Sequence, residues 1–86
     1  MLNIAVQMDP IERINIRGDS TFALLLEAQP RGHVLSYYTP DRLAQTQGGV
    51  FAAMQPLSVR DELGNHFTLG EARRTALTDV DVILLR

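Results

Sequence analysis

Five polar residues have the types and positions needed to bind a small charged ligand. They are Asp9, Asn15, Asp19, Ser20 and Arg86. The first four lie in or beside a connection, Asp9 to Gly18, that is longer than the roughly 2 to 6 residues that usually join a strand to a helix. In an open α/β sheet this connection lies at the carboxyl ends of the strands, where ligands bind, and it leads into the positive end of a helix dipole. The segment is therefore the main candidate for a binding site.

Each of these residues also suits an ordinary structural role. Asp19 and Ser20 are typical helix caps, because their side-chain oxygens accept hydrogen bonds from the first free amides. Asp9 is of a type that forms turns, and Asn15 is of a type that bonds to the backbone of its own loop. Arg86 is suited to a substrate carboxylate or to a surface acid. Both roles are compatible with the sequence at all five positions.

The composition excludes several kinds of chemistry. The chain has 86 residues and a net charge of -2, every basic residue is arginine, and cysteine is absent. Without lysine there is no Schiff base, and without cysteine there is no thiol nucleophile, disulfide or thiolate zinc site. Gly18 is the only glycine of the candidate loop, so the spacing of a dinucleotide-binding loop is missing. His33 and His66 have no partner at metal-ligand spacing and are expected to be solvated or satisfied in the core.

The charge and hydropathy patterns bear on partners and location. The mildly acidic balance and the scattered arginines provide no basic stripe, which disfavours nucleic-acid binding. The apolar runs are much shorter than a membrane span, and the first residues carry no signal-peptide pattern. We therefore expect a cytoplasmic, unprocessed protein with no membrane partner. With 45% hydrophobic residues the chain is expected to fold around a core as one small domain.

A strand, a helix and a second strand are predicted in the first half of the chain. Leu2 to Met8 is rich in aliphatic residues and predicts a strand. Ser20 to Gln29 has an apolar stripe at helical spacing, and Gly32 offers a left-handed exit after it. His33 to Tyr38 predicts the second strand, with its two tyrosines in strand packing. Such a unit implies parallel strands and a right-handed crossover.

A β-hairpin is predicted next. Its arms are Arg42 to Gln47 and Val50 to Leu57, and they flank a Gly48-Gly49 pair that can adopt the positive φ angles of a tight turn. Pro56 has no amide hydrogen, so it is expected near a sheet edge or at the end of its strand.

The last third of the chain completes the predicted fold. Residues 60–74 are mostly polar and predict a loop, with room for a short helical turn. Val80 to Leu85 is strongly apolar and predicts a strand buried on both faces. The fold class is therefore α/β, a Rossmann-like open sheet with parallel strands, a β-hairpin addition and at least one crossover helix. Because no helix follows to cover the last strand, residues 1–86 are expected to be a truncated domain, a fragment of a longer protein.

Several runs of residues form a pattern that extends along nearly the whole chain. They are Val6–Ile11, Ile14–Ile16, Asp19–Ala23, Leu26–Gln29, Arg31–His33, Tyr38–Asp41, His66–Glu71 and Asp79–Arg86. This pattern resembles the N-terminus of bacterial glutathione synthetase. Pro30 departs from it, since the family usually has a helix-compatible residue there, which affects the last helical turn.

The resemblance implies a function for the complete protein. It implies an ATP-grasp ligase that joins γ-glutamylcysteine to glycine through an acyl phosphate, using ATP with Mg²⁺ or Mn²⁺. Residues 1–86 would be the N-terminal, substrate-side domain, which precedes the ATP-grasp region and binds neither ATP nor metal. No catalytic residue is assigned to this domain, and the isolated fragment is expected to be inactive. The resemblance implies that Asp9, Asn15, Asp19, Ser20 and Arg86 line the γ-glutamylcysteine side of the cleft, with Asp19 suited to the substrate ammonium.

Two other interpretations are open. One is a free-standing α/β binding or interaction module, in which the hairpin and the long loop bind a protein partner. The other is a related ATP-grasp ligase that acts on a different peptide. Apolar residues left uncovered on Val80 to Leu85 are also compatible with a homo-oligomer.

Overall fold

A strand–helix–strand unit forms the first half of the fold. The computed structural model describes residues 1–86 in full. Strand β1 (Asn3–Gln7) is followed by helix α1 (Ser20–Ala28) and strand β2 (Val34–Tyr38). Strands β1 and β2 are parallel neighbours in the sheet. The predicted strand–helix–strand unit is therefore confirmed.

Helix α1 begins where its sequence supplies a cap and an apolar face. Asp19 has an extended backbone, and its Oδ1 accepts a hydrogen bond from the Phe22 amide at 2.8 Å. Phe22 and Leu25 lie three residues apart on one side of the helix, and both are completely buried. The cap and the buried face together determine the start and the orientation of the helix.

Helix α1 ends one residue before the predicted end. Pro30 lacks the amide hydrogen that would continue the helical ladder, and the chain tightens into a 3-10 turn over Gln29–Arg31. Gly32 then takes the left-handed conformation, with φ of 87°, as its position after the helix predicts.

All the strands belong to one mixed sheet. The main order is β3-β4-β2-β1-β7, and β5 and β6 pair with β4 outside this path. Strand β7 is parallel to β1, whereas β4 is antiparallel to each of its partners. The remaining strands are β3 (Leu43–Thr46), β4 (Gly49–Val59), β5 (Phe67–Leu69), β6 (Arg73–Ala76) and β7 (Val82–Leu85). The predicted α/β class and open sheet are confirmed.

The core lies on both faces of the sheet. The larger cluster packs against α1 and contains Phe22, Leu25 and Tyr37 among its members. The smaller cluster, on the other face, consists of Ala5, Tyr38, Ala52 and Met54. Because neighbouring residues of a strand point to opposite faces, Tyr37 and Tyr38 enter different clusters. The predicted strand packing of the tyrosine pair is confirmed.

The hairpin is present, but its turn and its proline differ from the prediction. The turn residues are Gln47 and Gly48, and only Gly49, which already pairs with Thr46, has a positive φ. Pro56 is neither at an edge nor at a strand end, since β4 continues to Val59 between two neighbours. Its carbonyl oxygen accepts a hydrogen bond from the Gly70 amide at 2.8 Å.

Two predictions for the last third of the chain were wrong. Residues 60–74 are not simply a loop, because they contain β5 and the first two residues of β6. The final strand is not buried on both faces: Val82, Ile83 and Leu84 are partly exposed, and Leu85 is 73% exposed. The reason is its position, since β7 pairs with β1 alone.

The molecule has no helix that is both long enough and apolar enough to span a bilayer.

The positive φ of Gly32 leads to a stability prediction. Gly32→Ala should lower the free energy of unfolding by about 1 kcal/mol, because a Cβ strains this conformation even where space is open. Gly48→Ala is the matched control, because its φ is not positive and its Cβ would meet no atom closer than 3.8 Å. Urea unfolding measures both variants, and equal losses would contradict the assignment.

Candidate functional site

The loop between β1 and α1 is attached to the core by two isoleucines. Ile11 is completely buried and Ile16 is 9% exposed, and both belong to the larger hydrophobic cluster. A 3-10 turn over Ile11–Arg13 places Glu12 and Arg13 at the surface. The loop is therefore a folded element whose polar residues are presented from a fixed backbone.

The backbone of Ile11 is held on both sides. Its amide donates a hydrogen bond to the Tyr37 hydroxyl at 3.1 Å, and its carbonyl oxygen lies 2.7 Å from His66 Nε2. Because a carbonyl oxygen only accepts, His66 Nε2 carries the hydrogen in this contact. Burial raises the pKa of the Tyr37 phenol above its ordinary value, while the bond from the Ile11 amide acts in the opposite direction. The phenol is therefore neutral near pH 7.

A polar cleft of about 360 Å³ opens beside this loop. Its wall combines one carboxylate, two guanidinium groups and one carboxamide with an isoleucine side chain and a proline ring. The lining residues are Asp9, Pro10, Arg13, Ile14, Asn15 and Arg86. Such a set is suited to a small ligand that carries both negative and positive charge.

Arg86 is held in this cleft by its backbone and by an ion pair. Its amide donates to the Gln7 carbonyl oxygen at 3.1 Å, which extends the ladder between β7 and β1. Its Nη2 lies 2.7 Å from Asp19 Oδ2, and its Nη1 lies 3.9 Å from Asp9 Oδ2. The Arg86 side chain is still 36% exposed, so part of its guanidinium faces solvent.

Asp19 is buried beneath Arg86 and has two functions in the fold. Its side chain is 2% exposed. One oxygen caps α1 through the Phe22 amide, while the other, Oδ2, is close to Arg86 but outside hydrogen-bond geometry. The second oxygen is thus compensated by charge attraction and lacks a hydrogen-bond donor.

The structure brings together three of the five predicted site residues. Asp9, Asn15 and Arg86 line the cleft. Asp19 lies behind them, and Ser20 is exposed on the first turn of α1, outside the lining set. Both roles considered for Asn15 have support, because its Oδ1 accepts from the Arg17 amide at 3.1 Å while its side chain faces the cleft.

Sequence reasoning missed three residues of the site. Arg13 lines the cleft, and its only signal was its place within the unusually long loop. Tyr37 was interpreted as strand packing alone, although its hydroxyl also contacts the loop. His66 had no sequence signal for this role, because its contact with Ile11 spans 55 residues.

The histidines and acids of residues 1–86 do not form a metal site. No three of these side chains lie close enough together to hold an ion. His33 Nδ1 accepts a hydrogen bond from the Leu2 amide at 3.0 Å. His66 is buried edge-on against the rings of Phe22 and Phe67, at centroid distances of 5.6 and 4.9 Å. The expectation of two structurally satisfied histidines is confirmed.

Two comparisons with known proteins, one with protein families and one with individual proteins, agree with each other. Residues 2–86 match the family described as the prokaryotic glutathione synthetase N-terminal domain. The chain is 68% identical to the glutathione synthetase of Bradyrhizobium diazoefficiens and 64% identical to that of Rhodopseudomonas palustris. Each match covers 99% of this chain, but the chain spans only 27% of the length of either relative.

The two functions of Asp19 are separable by substitution. Asp19→Asn retains an oxygen for the helix cap and loses the charge, whereas Asp19→Ala loses both. We expect Asp19→Ala to unfold more readily than Asp19→Asn, by about 1 kcal/mol in urea titrations. Ser20→Ala, which removes an exposed hydroxyl from the next residue, should change stability by less than about 0.5 kcal/mol. Identical midpoints for the Asn and Ala variants would contradict the capping role.

Proposed function

This chain belongs to the family of prokaryotic glutathione synthetase N-terminal domains, and we propose that it forms the peptide-binding side of an ATP-dependent ligase. The ligase would join γ-glutamylcysteine to glycine. One observation supports the proposal that this domain binds the peptide substrate. It is the charged cleft beside the long loop, with Arg86 in its wall. Family membership supports the reaction, and the cleft supports the side of the substrate that this domain binds.

The proposed nucleotide and metal sites lie outside residues 1–86. The chain has no lysine, its candidate loop lacks a glycine-rich phosphate-binding pattern, and its acids do not cluster. These residues do not fit ATP with Mg²⁺ or Mn²⁺. The chain spans about a quarter of its relatives, which leaves a long remainder for those sites. We therefore expect residues 1–86 alone to have no ligase activity and no ATP turnover.

The charges of the cleft complement those of γ-glutamylcysteine. This dipeptide carries two carboxylates, one ammonium group and a peptide amide. Arg86 and Arg13 supply donors for a carboxylate, and Asp9 supplies an acceptor for the ammonium. The Asn15 carboxamide nitrogen is a donor that has no partner in the protein, and it is suited to a carboxylate or a carbonyl oxygen.

Asp19 and Ser20 have indirect roles in this proposal. An Asp19 side chain that is 2% exposed and lies beneath Arg86 supports a role in orienting the guanidinium. Contact between Asp19 and the substrate ammonium, which the sequence suggested, has less support than contact through Asp9. Ser20 lies outside the cleft lining, so the proposal gives it no substrate contact.

The expected setting of the enzyme follows from its reaction. A ligase that consumes ATP is proposed to work in the cytoplasm, where ATP is made and used. Its partners would be the small molecules γ-glutamylcysteine and glycine. The partly exposed apolar side chains of β7 are compatible with contacts to other parts of the full-length protein or to a second copy.

The other two interpretations give different results in one assay. The full-length protein is incubated with ATP, Mg²⁺, γ-glutamylcysteine and glycine, and ADP and glutathione are measured. Glutathione formation supports the proposal. ADP formation only when γ-glutamylcysteine is replaced by another peptide would favour a related ligase, and no ATP-dependent product with any peptide would favour a binding module.

Substitution of Arg86 tests the assignment of the cleft. In the full-length enzyme, Arg86→Gln should reduce kcat/KM for γ-glutamylcysteine by about 10- to 100-fold, the loss expected for one charge-assisted contact. The KM for ATP should change little. Arg31→Gln is the matched control, because Arg31 is an exposed arginine that pairs with Glu27 on α1, away from the cleft. Equal losses for both substrates would contradict the proposed role.

A further inference from the structure

Two buried side chains outside the cleft hold the loop that forms one of its walls. They are Tyr37 and His66, which contact the amide and the carbonyl oxygen of Ile11. We propose that this pair, here called the Ile11 clamp, consists of positioning residues that set the affinity for γ-glutamylcysteine. This inference rests on the function proposed above, because it names the same substrate and the same cleft.

The clamp provides a hydrogen bond to the Ile11 amide and the shorter of two hydrogen bonds to the Ile11 carbonyl oxygen, which also accepts from the Ile14 amide at 3.5 Å. Ile11 is completely buried, and both clamp contacts lie in the protein interior. A buried amide that loses its partner cannot turn to water, and the carbonyl oxygen would keep only the long bond from Ile14. The loop would therefore have to move to regain full hydrogen bonding. Release of either contact therefore displaces backbone that lies between Asp9 and Asn15.

Each half of the clamp is itself fixed by the sheet. Tyr37 belongs to β2, the direct neighbour of β1. The carbonyl oxygen of His66 accepts a hydrogen bond from the Arg60 amide at 3.0 Å, just beyond the end of β4. The adjacent Val59 is tied to Gln29 through hydrogen bonds to both its amide and its carbonyl oxygen, at 2.7 and 2.9 Å. The position of the loop is therefore fixed relative to β2 and to the C-terminal end of β4.

The clamp controls only part of the cleft. Asp9, Arg13 and Asn15 are carried by the clamped loop, whereas Arg86 is held by the ladder to β1 and by Asp19. Loss of the clamp should therefore displace the loop contacts and leave Arg86 in place. The expected result is weaker dipeptide binding without loss of the reaction.

The first test removes one hydroxyl group. In the full-length enzyme, Tyr37→Phe keeps the buried ring and should raise KM for γ-glutamylcysteine about fivefold, the factor that corresponds to one lost hydrogen bond. The KM for ATP and kcat should be unchanged. Tyr38→Phe is the matched control, because Tyr38 is the adjacent buried tyrosine and belongs to the opposite cluster. The side-chain hydrogen bonds to Ile11 come from Tyr37 and His66 and not from Tyr38.

The second test asks whether a restored donor rescues binding. His66→Leu removes the donor and should raise the same KM, whereas His66→Gln supplies an amide nitrogen near the position of Nε2 and should recover most of the loss. If His66 only filled space, the leucine and glutamine variants would have similar KM values.

A third readout does not depend on activity. Hydrogen–deuterium exchange over residues 12–18 of the full-length protein should be faster in Tyr37→Phe and His66→Leu than in the wild type and in Tyr38→Phe. Faster exchange together with the selective rise in KM supports the proposal. Unchanged exchange, or faster exchange with an unchanged KM, overturns it, as does an equal rise in both KM values.

The failure of the proposed function would look different. A wild-type enzyme that does not use γ-glutamylcysteine would overturn that function, and with it the dipeptide as the substrate that the clamp positions. Exchange over residues 12–18 would still decide whether Tyr37 and His66 hold the loop.

Discussion

The arrangement of the cleft depends on one constraint, the burial of the Asp19 carboxylate. One of its oxygens fixes the first turn of α1, and the other compensates the Arg86 guanidinium at the end of β7. A carboxylate at 2% exposure is costly unless its charge is compensated, so Arg86 is drawn over it. The start of the helix and the end of the last strand are thereby brought to the same corner of the sheet. Three parallel strands already direct their carboxyl ends there, which is where open α/β sheets bind ligands.

The long loop fits this corner because its polar and apolar residues are separated. Ile11 and Ile16 lie in the core, and the backbone of Ile11 is bonded on both sides, so the intervening polar residues have a fixed backbone. A connection of this length without such anchors would lose much conformational entropy on binding any ligand. The apolar side of the loop therefore fixes its position on the core, and the polar side presents Asp9 and Asn15 to the cleft.

The sequence was most informative where local signals determine structure. The cap at Asp19, the buried pair of Phe22 and Leu25 and the exit at Gly32 each act within a few residues, and α1 forms within one residue of the predicted range. Strands β5 and β6 are only 3 and 4 residues long, and they exist because β4 pairs with them. Such long-range pairing leaves little trace in a short polar segment. The interior position of Pro56 in β4 also depends on its tertiary partners.

The same distinction applies to the site. The position of the long loop made Asp9 and Asn15 candidates, the end of the last strand made Arg86 a candidate, and all three line the cleft. The burial of Asp19 depends on contact with Arg86, and the role of His66 depends on a contact across 55 residues, so neither could be derived from spacing. Residue types indicated which groups could bind a ligand, and the packing determined which of them face the cleft.

The most direct measurement is a crystal structure of the full-length protein with γ-glutamylcysteine and a non-hydrolysable ATP analogue. The account predicts a dipeptide carboxylate within about 3 Å of the Arg86 guanidinium, with the loop of residues 9–18 along the peptide and the nucleotide bound outside residues 1–86. A dipeptide bound elsewhere, with Arg86 and this loop facing bulk solvent, would contradict the account.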